Sequence, residues 1–158
     1  MIVIEMENGH TIELELDSDA APATAANFTE LVRQGFYDGL TFHRIIPGFM
    51  IQGGDPRGNG TGGSKKNIVG EFRSNGHPNP ISHKRGVISM ARAMDPNSAS
   101  SQFFIMHADA PYLDGNYAAF GHVVSGMETV DEIASVRTGV NDRPVEPVII
   151  RRIYLKEE

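Results

Sequence analysis

Arg44 has the most unusual surroundings of any charged residue in this 158-residue chain. It lies in a predicted strand over residues 41–46, where period-two alternation places Phe42, Arg44 and Ile46 on one face. A guanidinium between two large apolar side chains is costly unless it has a partner. The pattern leaves two interpretations open: an arginine satisfied by a core carboxylate or by carbonyls, or a fixed cation in a binding cleft.

Two later predicted strands place amide side chains beside large apolar groups. Met50 and Gln52 share a face in the strand that follows Arg44, and Gln102 and Phe104 share a face in a strand further along the chain. The combination gives an apolar surface with one cation and two amides. Such a surface is more typical of a binding cleft than of a sealed core, although packing of Met and Phe alone would give part of the pattern.

Other kinds of catalytic site find no support in the residues. The chain has no cysteine, which excludes disulfides, thiolate metal sites and cysteine nucleophiles. Its six histidines lack the HxxxH and HExxH spacings of helical metal sites. Residues 58–63 match GxGxxG, but no helix opens on those glycines, so we interpret them as loop flexibility or close backbone approach. We therefore expect no metal, no cofactor and no covalent nucleophile.

Charge is distributed unevenly along the chain. The formal net charge is −6, with −7 over residues 1–40, +6 over residues 41–92 and −5 over residues 93–158. The overall acidity argues against nucleic-acid binding, which needs a concentrated basic face. No long apolar run predicts a membrane span, and no signal-peptide pattern is present, so we expect a cytoplasmic protein with one domain over residues 1–158.

The elements that must position these residues are short strands and two helices. Asn8-Gly9 between two alternating segments predicts a hairpin over residues 2–16. Helical spacing predicts one helix over residues 22–34, and a capping box of Ser125 with Glu128 predicts the start of a second. Further strands are predicted over residues 41–46, 49–53, 87–90, 101–106, 118–124 and 148–155. This order suggests an antiparallel barrel or sandwich capped by helices, with a long loop over residues 54–86.

The segments that carry the unusual residues resemble the signature of the cyclophilins, which are peptidyl-prolyl cis-trans isomerases. The longest matching segment is residues 42–55, FHRIIPGFMIQGGD. The resemblance continues in family order through GTGG at 60–63, GVISMA at 86–91, SQFFI at 101–105, LDG at 113–115 and FG at 120–121. It spans essentially the whole chain.

The resemblance implies a fold, an activity and a set of site residues. The implied fold is mainly β, a closed antiparallel eight-stranded barrel capped by two α-helices. The implied activity is cis-trans isomerisation of X–Pro bonds in unfolded or flexible segments, with Arg44 and Gln52 as catalytic residues. The implied substrate-binding residues are Phe49, Met50, Ala91, Arg92, Gln102, Phe104, Tyr112, Leu113 and Tyr117.

Three positions depart from the familiar eukaryotic pattern of the family. Tyr112 stands where Trp is usual, Tyr117 where His is usual, and Arg92 where Asn is common. An indole at the first position can donate a hydrogen bond to the macrocyclic inhibitor cyclosporin, so Tyr112 implies weak cyclosporin binding. The compact loop after Gly35 and the short N-terminus resemble those of bacterial single-domain cyclophilins.

A cyclophilin-like domain could also act as a chaperone or scaffold that binds proline-containing segments without significant catalysis. Loss of the arginine would favour that alternative, whereas Arg44, Gln52 and Phe104 are all present here. We therefore expect an enzyme whose partners are proline-containing peptides and unfolded proteins, acting as a monomer.

Overall fold

The computed structural model describes residues 1–156, which contain eight strands and two α-helices. No helix in this range is long and apolar enough to cross a membrane. The elements are β1 (Ile2–Met6), β2 (Thr11–Leu16), α1 (Pro22–Arg33), β3 (Phe42–Ile46), β4 (Met50–Gly53), β5 (Val87–Met90), β6 (Phe103–Met106), β7 (Ala119–Ser125), α2 (Met127–Ala134) and β8 (Ile150–Leu155).

The eight strands form one antiparallel sheet in the order β3-β4-β6-β5-β7-β2-β1-β8, curved into an open half-barrel. The expected closed barrel is therefore wrong. The two edge strands, β3 and β8, share no ladder, and a single isolated bridge joins Thr41 to Ile149 beside them. Within the described residues, the backbone hydrogen bonds between these two edges join residues 39–42 to residues 148–150, such as Phe42 N–H to the Val148 carbonyl at 3.0 Å, and do not continue into a ladder.

The concave side of the sheet encloses an aromatic core. Phe28 of α1 lies 5.1 Å from Tyr37 and 5.1 Å from Phe120, measured between ring centroids, and Phe103 packs edge-on against Phe28 at 5.5 Å. The buried Tyr37 hydroxyl donates to the Ser101 carbonyl at 2.8 Å, which satisfies its one polar group. Burial raises the pKa of Tyr37 well above its ordinary value.

Neither helix start in the structure has a side-chain cap from the residue that precedes it. α1 begins at Pro22, as the first-turn preference of proline predicts, but Ala21 provides no side-chain cap. The buried Glu71 carboxylate of the long loop replaces the cap and accepts from the N–H and the hydroxyl of Thr24 at 2.6 and 2.7 Å. The predicted capping box of α2 is wrong: Ser125 ends β7, and Gly126 with φ of 93° precedes the helix without a side-chain cap.

The long loop over residues 54–86 is organised around a second buried carboxylate. Asp55 accepts hydrogen bonds from the backbone N–H groups of Arg57 at 2.8 Å, Asn59 at 3.2 Å and Gly60 at 2.6 Å. A Cβ at Gly62 would collide with the Asp55 carboxylate. Gly60 and Gly62 of the glycine-rich segment therefore lie against the chain's own anion, which supports the interpretation of close backbone approach at these two positions.

A β-bulge at His43 sets the direction of the side chains in β3. Phe42 pairs with Gly53 and Arg44 pairs with Gln52, so two steps along β3 match one step along β4. The predicted shared face of Phe42, Arg44 and Ile46 is therefore wrong at Phe42, which lies in the interior core. Without the bulge, Arg44 would stand opposite the buried Ile51 and face the core.

Candidate active site

Three side chains from neighbouring strands form one row on the outer face of the sheet. Register places Arg44 of β3 beside Gln52 of β4, and Gln52 beside Phe104 of β6. A second apolar cluster on this face includes Met50, Phe104 and Leu113. β6 is buried along its whole length because its alternate residues enter the interior core and this outer cluster.

A chain of hydrogen bonds orients the Arg44 guanidinium. Gln102 donates from Nε2 to the Gly62 carbonyl at 2.8 Å, and Gln52 donates from Nε2 to Gln102 Oε1 at 3.0 Å. The Gln52 Oε1 that remains accepts a long bond of 3.5 Å from Arg44 Nη1. Because Nε2 of each glutamine donates to a fixed acceptor, Oε1 of Gln102 faces Gln52 and Oε1 of Gln52 faces Arg44. The guanidinium is thus directed towards the cleft, with most of its donors free for a ligand.

A cavity of about 120 Å³ opens beside this row. Its lining contains most of the predicted site residues, and neither histidine nor carboxylate is among them. The lining residues are Arg44, Phe49, Met50, Gln52, Ala91, Arg92, Phe104, Leu113 and Tyr117.

The two remaining predicted residues lie outside this cavity. Gln102 lines a neighbouring cavity of about 230 Å³ that shares Gln52, Ala91 and Arg92 with the first. Tyr112 is 71% exposed and stacks on Phe49 with ring centroids 6.2 Å apart. The structure therefore places Tyr112 at the rim and not in the pocket.

A buried histidine that the sequence analysis did not single out supports the far wall of the cavity. His83 Nδ1 lies 2.9 Å from Asp114 Oδ1 and its Nε2 lies 2.9 Å from Ser89 Oγ. Its ring stacks on Phe104 at 6.1 Å. The residue types match those of a hydrolase triad, but Ser89 is fully buried and cannot meet a substrate. The arrangement is structural: it ties the segment after Leu113 to β5. No sequence spacing among these three residues signals the contact.

Arg92 is fixed between two aromatic rings at the junction of the two cavities. Its guanidinium carbon lies 4.8 Å from the Phe72 centroid and 4.9 Å from the Tyr117 centroid. The same group donates to the carbonyls of Asn116, at 2.7 and 3.2 Å, Ala93, at 3.0 Å, and Met94, at 3.2 Å. The departure from the common Asn therefore builds part of the cavity wall.

Two buried histidines make the free energy of unfolding depend on pH. Burial lowers the pKa of His83, against the opposing effect of Asp114. Burial also lowers the pKa of His43, helped by Arg143 and Arg44 and opposed by Asp55, and neither ring nitrogen of His43 has a partner. An unfolded histidine titrates near pH 6.5, so below about that pH the unfolded chain binds more protons than the fold.

We therefore expect stability to fall as the pH decreases from about 7.5 to about 5.5, by at most about 1.4 kcal/mol per pH unit for each histidine. Urea denaturation at both pH values measures the change. His43→Leu should reduce the pH dependence, whereas His122→Gln, at an exposed position of β7, should not. An unchanged pH dependence in His43→Leu would show that His43 is not one of the groups responsible.

The structure thus combines a half-barrel and two helices with an apolar cleft whose lining includes the guanidinium groups of Arg44 and Arg92. A family model described as cyclophilin type peptidyl-prolyl cis-trans isomerase/CLD matches residues 1–155. The chain is 49% identical over 158 residues to peptidyl-prolyl cis-trans isomerase-like 1 of Gibberella zeae, covering 99% of this chain and 95% of the relative. It is 50% identical over 123 residues to peptidyl-prolyl cis-trans isomerase B of Bacillus subtilis, covering 78% and 82%.

A solved structure shares the fold. A cyclophilin type peptidyl-prolyl cis-trans isomerase of Cryptosporidium parvum, crystallised in the presence of the dipeptide Ala-Pro, superposes with a TM-score of 0.90 at 32% identity and covers 99% of both chains. The chain belongs to the cyclophilin-type peptidyl-prolyl cis-trans isomerase family. Its activity is the isomerisation of X–Pro peptide bonds. The similar proteins are fungal as well as bacterial, so the comparisons do not single out a bacterial form.

Proposed function

We propose that the cavity beside Arg44 holds the proline ring of the substrate and that Arg44 and Gln52 act on the bond that rotates. The observation that carries this proposal is the row of Arg44, Gln52 and Phe104 across three strands, which places a directed cation beside an apolar pocket. In this proposal the apolar groups that hold the ring are Phe49, Met50, Phe104 and Leu113, with Ala91, Arg92 and Tyr117 completing the wall.

The barrier to rotation about the peptide bond indicates how much of the acceleration Arg44 and the apolar pocket must each supply. Rotation about the peptide C–N bond is resisted by about 18 to 20 kcal/mol because of resonance. An uncatalysed X–Pro bond isomerises in about 10 to 100 s, so ordinary turnover requires an acceleration of about 10² to 10⁵, or about 3 to 7 kcal/mol. A hydrogen bond from a charged donor contributes about 1.5 to 3 kcal/mol, so Arg44 alone supplies only part of the effect. The apolar pocket supplies the rest by holding the ring and excluding water.

Arg44 acts on the transition state because resonance is lost there. When the bond twists, the prolyl nitrogen regains its lone pair and becomes a hydrogen-bond acceptor, and the preceding carbonyl changes its charge. A fixed guanidinium therefore stabilises the twisted amide more than either planar form. Gln52 holds the guanidinium in place at 3.5 Å and lines the same cavity. No covalent bond between the substrate and the protein is made or broken.

The same proposal covers the partners. Proline-containing peptides and unfolded proteins are the substrates. The crystal structure of the Cryptosporidium parvum relative in the presence of the dipeptide Ala-Pro supports this part of the proposal. Exposure of Arg44 at the mouth of an open cleft favours segments that are already flexible, because the cleft must receive main chain as well as the ring. We also propose that the chain acts as a monomer and binds cyclosporin weakly, since Tyr112 lies at the rim.

A proline-isomerisation assay on a short X–Pro peptide tests the proposed function. We expect turnover that is insensitive to chelators and to thiol reagents and that changes by less than about twofold between pH 6 and 8. The reason is that, within residues 1–156, neither a histidine nor a carboxylate lines the cavity. Burial also lowers the pKa of His43 and of His83, which favours their neutral rings. A bell-shaped pH profile centred in this window would contradict the proposal and indicate a titrating catalytic group.

A further inference from the structure

We infer that Arg92 makes this enzyme prefer X–Pro segments that carry a carboxylate within a few residues of the proline, an inference that rests on the proposed proline pocket. The pocket and the neighbouring cavity share Arg92, Gln52 and Ala91. An extended chain advances about 3.3 Å per residue, so a side chain close in sequence to the bound proline can reach the second cavity.

The two cavities are lined by cations without carboxylates. Among the described residues, the charged side chains that line the cavities are Arg44 and Arg92 in the first and Arg92 in the second. Three of the other eight arginines form salt bridges: Arg85 with Asp131, and Arg151 and Arg152 with Glu5. Within residues 1–156, neither lining arginine forms a salt bridge to a carboxylate.

The folding of the basic segment over residues 41–92 explains this imbalance. Its two acidic residues are turned inwards: Asp55 is bonded by backbone N–H groups of its own loop, and Glu71 by Thr24. Two of its bases, Arg44 and Arg92, line the cavities. The segment with a formal charge of +6 therefore places two arginines at the cleft and buries both of its acids.

Two carboxylates lie near the cleft but not in its lining. Asp114 accepts from the Ser82 hydroxyl at 2.7 Å, from the His83 N–H at 2.7 Å, and contacts the His83 ring. Asp95 stands in an exposed turn and accepts from the N–H of Asn97 at 2.8 Å. Asp114 is thus bonded to the end of the long loop and Asp95 to its own turn, and neither is among the lining residues of the two cavities.

The position of the Arg92 guanidinium suits it to a carboxylate. Phe72 and Tyr117 cover its two faces, and its bonds to three carbonyls neutralise no formal charge. Of its five N–H donors, one on Nη2 has no acceptor in the described chain. A cation that is already fixed loses little conformational entropy when it binds an anion. We expect the resulting preference to act mainly on KM, because the flanking residue does not change charge when the bond rotates.

Matched peptides test the inference. Capped alanine peptides with one central proline are prepared with Glu or the isosteric Gln at each of the three positions before and after it, and kcat/KM is measured by NMR exchange. We expect a Glu/Gln ratio of about three to ten at one or more positions, which decreases as salt is added. In Arg92→Gln the ratio should fall to about one, whereas Arg92→Lys should retain part of it. Arg33→Gln, which removes the same charge from an exposed position of α1, should leave it unchanged.

The outcomes separate this inference from the proposed function. Equal turnover of the Glu and Gln peptides at all positions would overturn the role of Arg92 and leave the pocket assignment intact. A ratio that persists in Arg92→Gln, or that does not respond to salt in the wild-type enzyme, would overturn it as well. Failure to turn over the Gln peptides would instead refute the pocket assignment, and with it the inference. The ratio is taken within each variant, so a general loss of activity does not affect it.

Discussion

Arg44→Ala is expected to lower turnover on X–Pro peptides at least about tenfold while the protein stays folded and still binds them. The guanidinium lines the cavity beside Gln52, and in the proposed function its charge stabilises the twisted amide more than the planar forms. The variant should fold normally because Arg44 is exposed and its one hydrogen bond, at 3.5 Å, is long.

Isomerisation rates measured by NMR exchange, together with peptide titrations, separate the two effects. Arg44→Lys should recover only part of the activity, because an ammonium keeps the charge but not the planar fork that Gln52 orients. Arg33→Ala serves as the control for loss of a surface arginine. Activity close to that of the wild type in Arg44→Ala would refute the catalytic role proposed for this residue.

Tyr112→Trp is expected to tighten cyclosporin inhibition by about 5- to 150-fold, the range that corresponds to a hydrogen bond of about 1 to 3 kcal/mol. Tyr112 is 71% exposed, stacks on Phe49 at the rim and makes no hydrogen bond to the rest of residues 1–156. An indole there presents an N–H and a larger face to a macrocycle that extends past the pocket.

The small substrate should not respond to the same substitution. Tyr112 is not among the lining residues of the cavity proposed to hold the proline ring, so kcat/KM on a short X–Pro peptide should change by less than about twofold. The test measures the cyclosporin inhibition constant and kcat/KM on the short peptide for both the wild type and Tyr112→Trp. Tyr112→Phe is the matched control, because it removes the hydroxyl and keeps the stacking. Equal inhibition constants for the two proteins would show that this position does not determine cyclosporin affinity.

The family and most of the elements could be predicted from the sequence because their signals are local. Asn8-Gly9 gives the first hairpin, Pro22 opens α1, and Pro47-Gly48 turns β3 into β4 with φ of 76° at the glycine. Turn chemistry and side-chain period act over a few residues, so the chain does not need its tertiary contacts to show them. The short-range patterns left two interpretations of Arg44 open, and the resemblance to the cyclophilins assigned Arg44 and Phe104 to the cleft.

The tertiary structure decided how those residues meet. The bulge at His43 places Arg44 opposite Gln52 instead of Ile51, so Phe42 and Arg44 lie on opposite faces of the sheet, although strict alternation along β3 predicts that they share one. The link from Asp114 through His83 joins residues 31 positions apart, and the Glu71 cap on α1 spans 47.

Such features depend on register and on buried polar groups that find partners far along the chain. A one-residue change of register reverses every side chain of a strand, and which register wins is set by the packing of both faces of the sheet at once. The sequence therefore determines which residue types are available to the site. Their common orientation is decided only when the inner core, the outer cluster and the long loop assemble, because a local pattern carries no information on which distant strand will lie beside it.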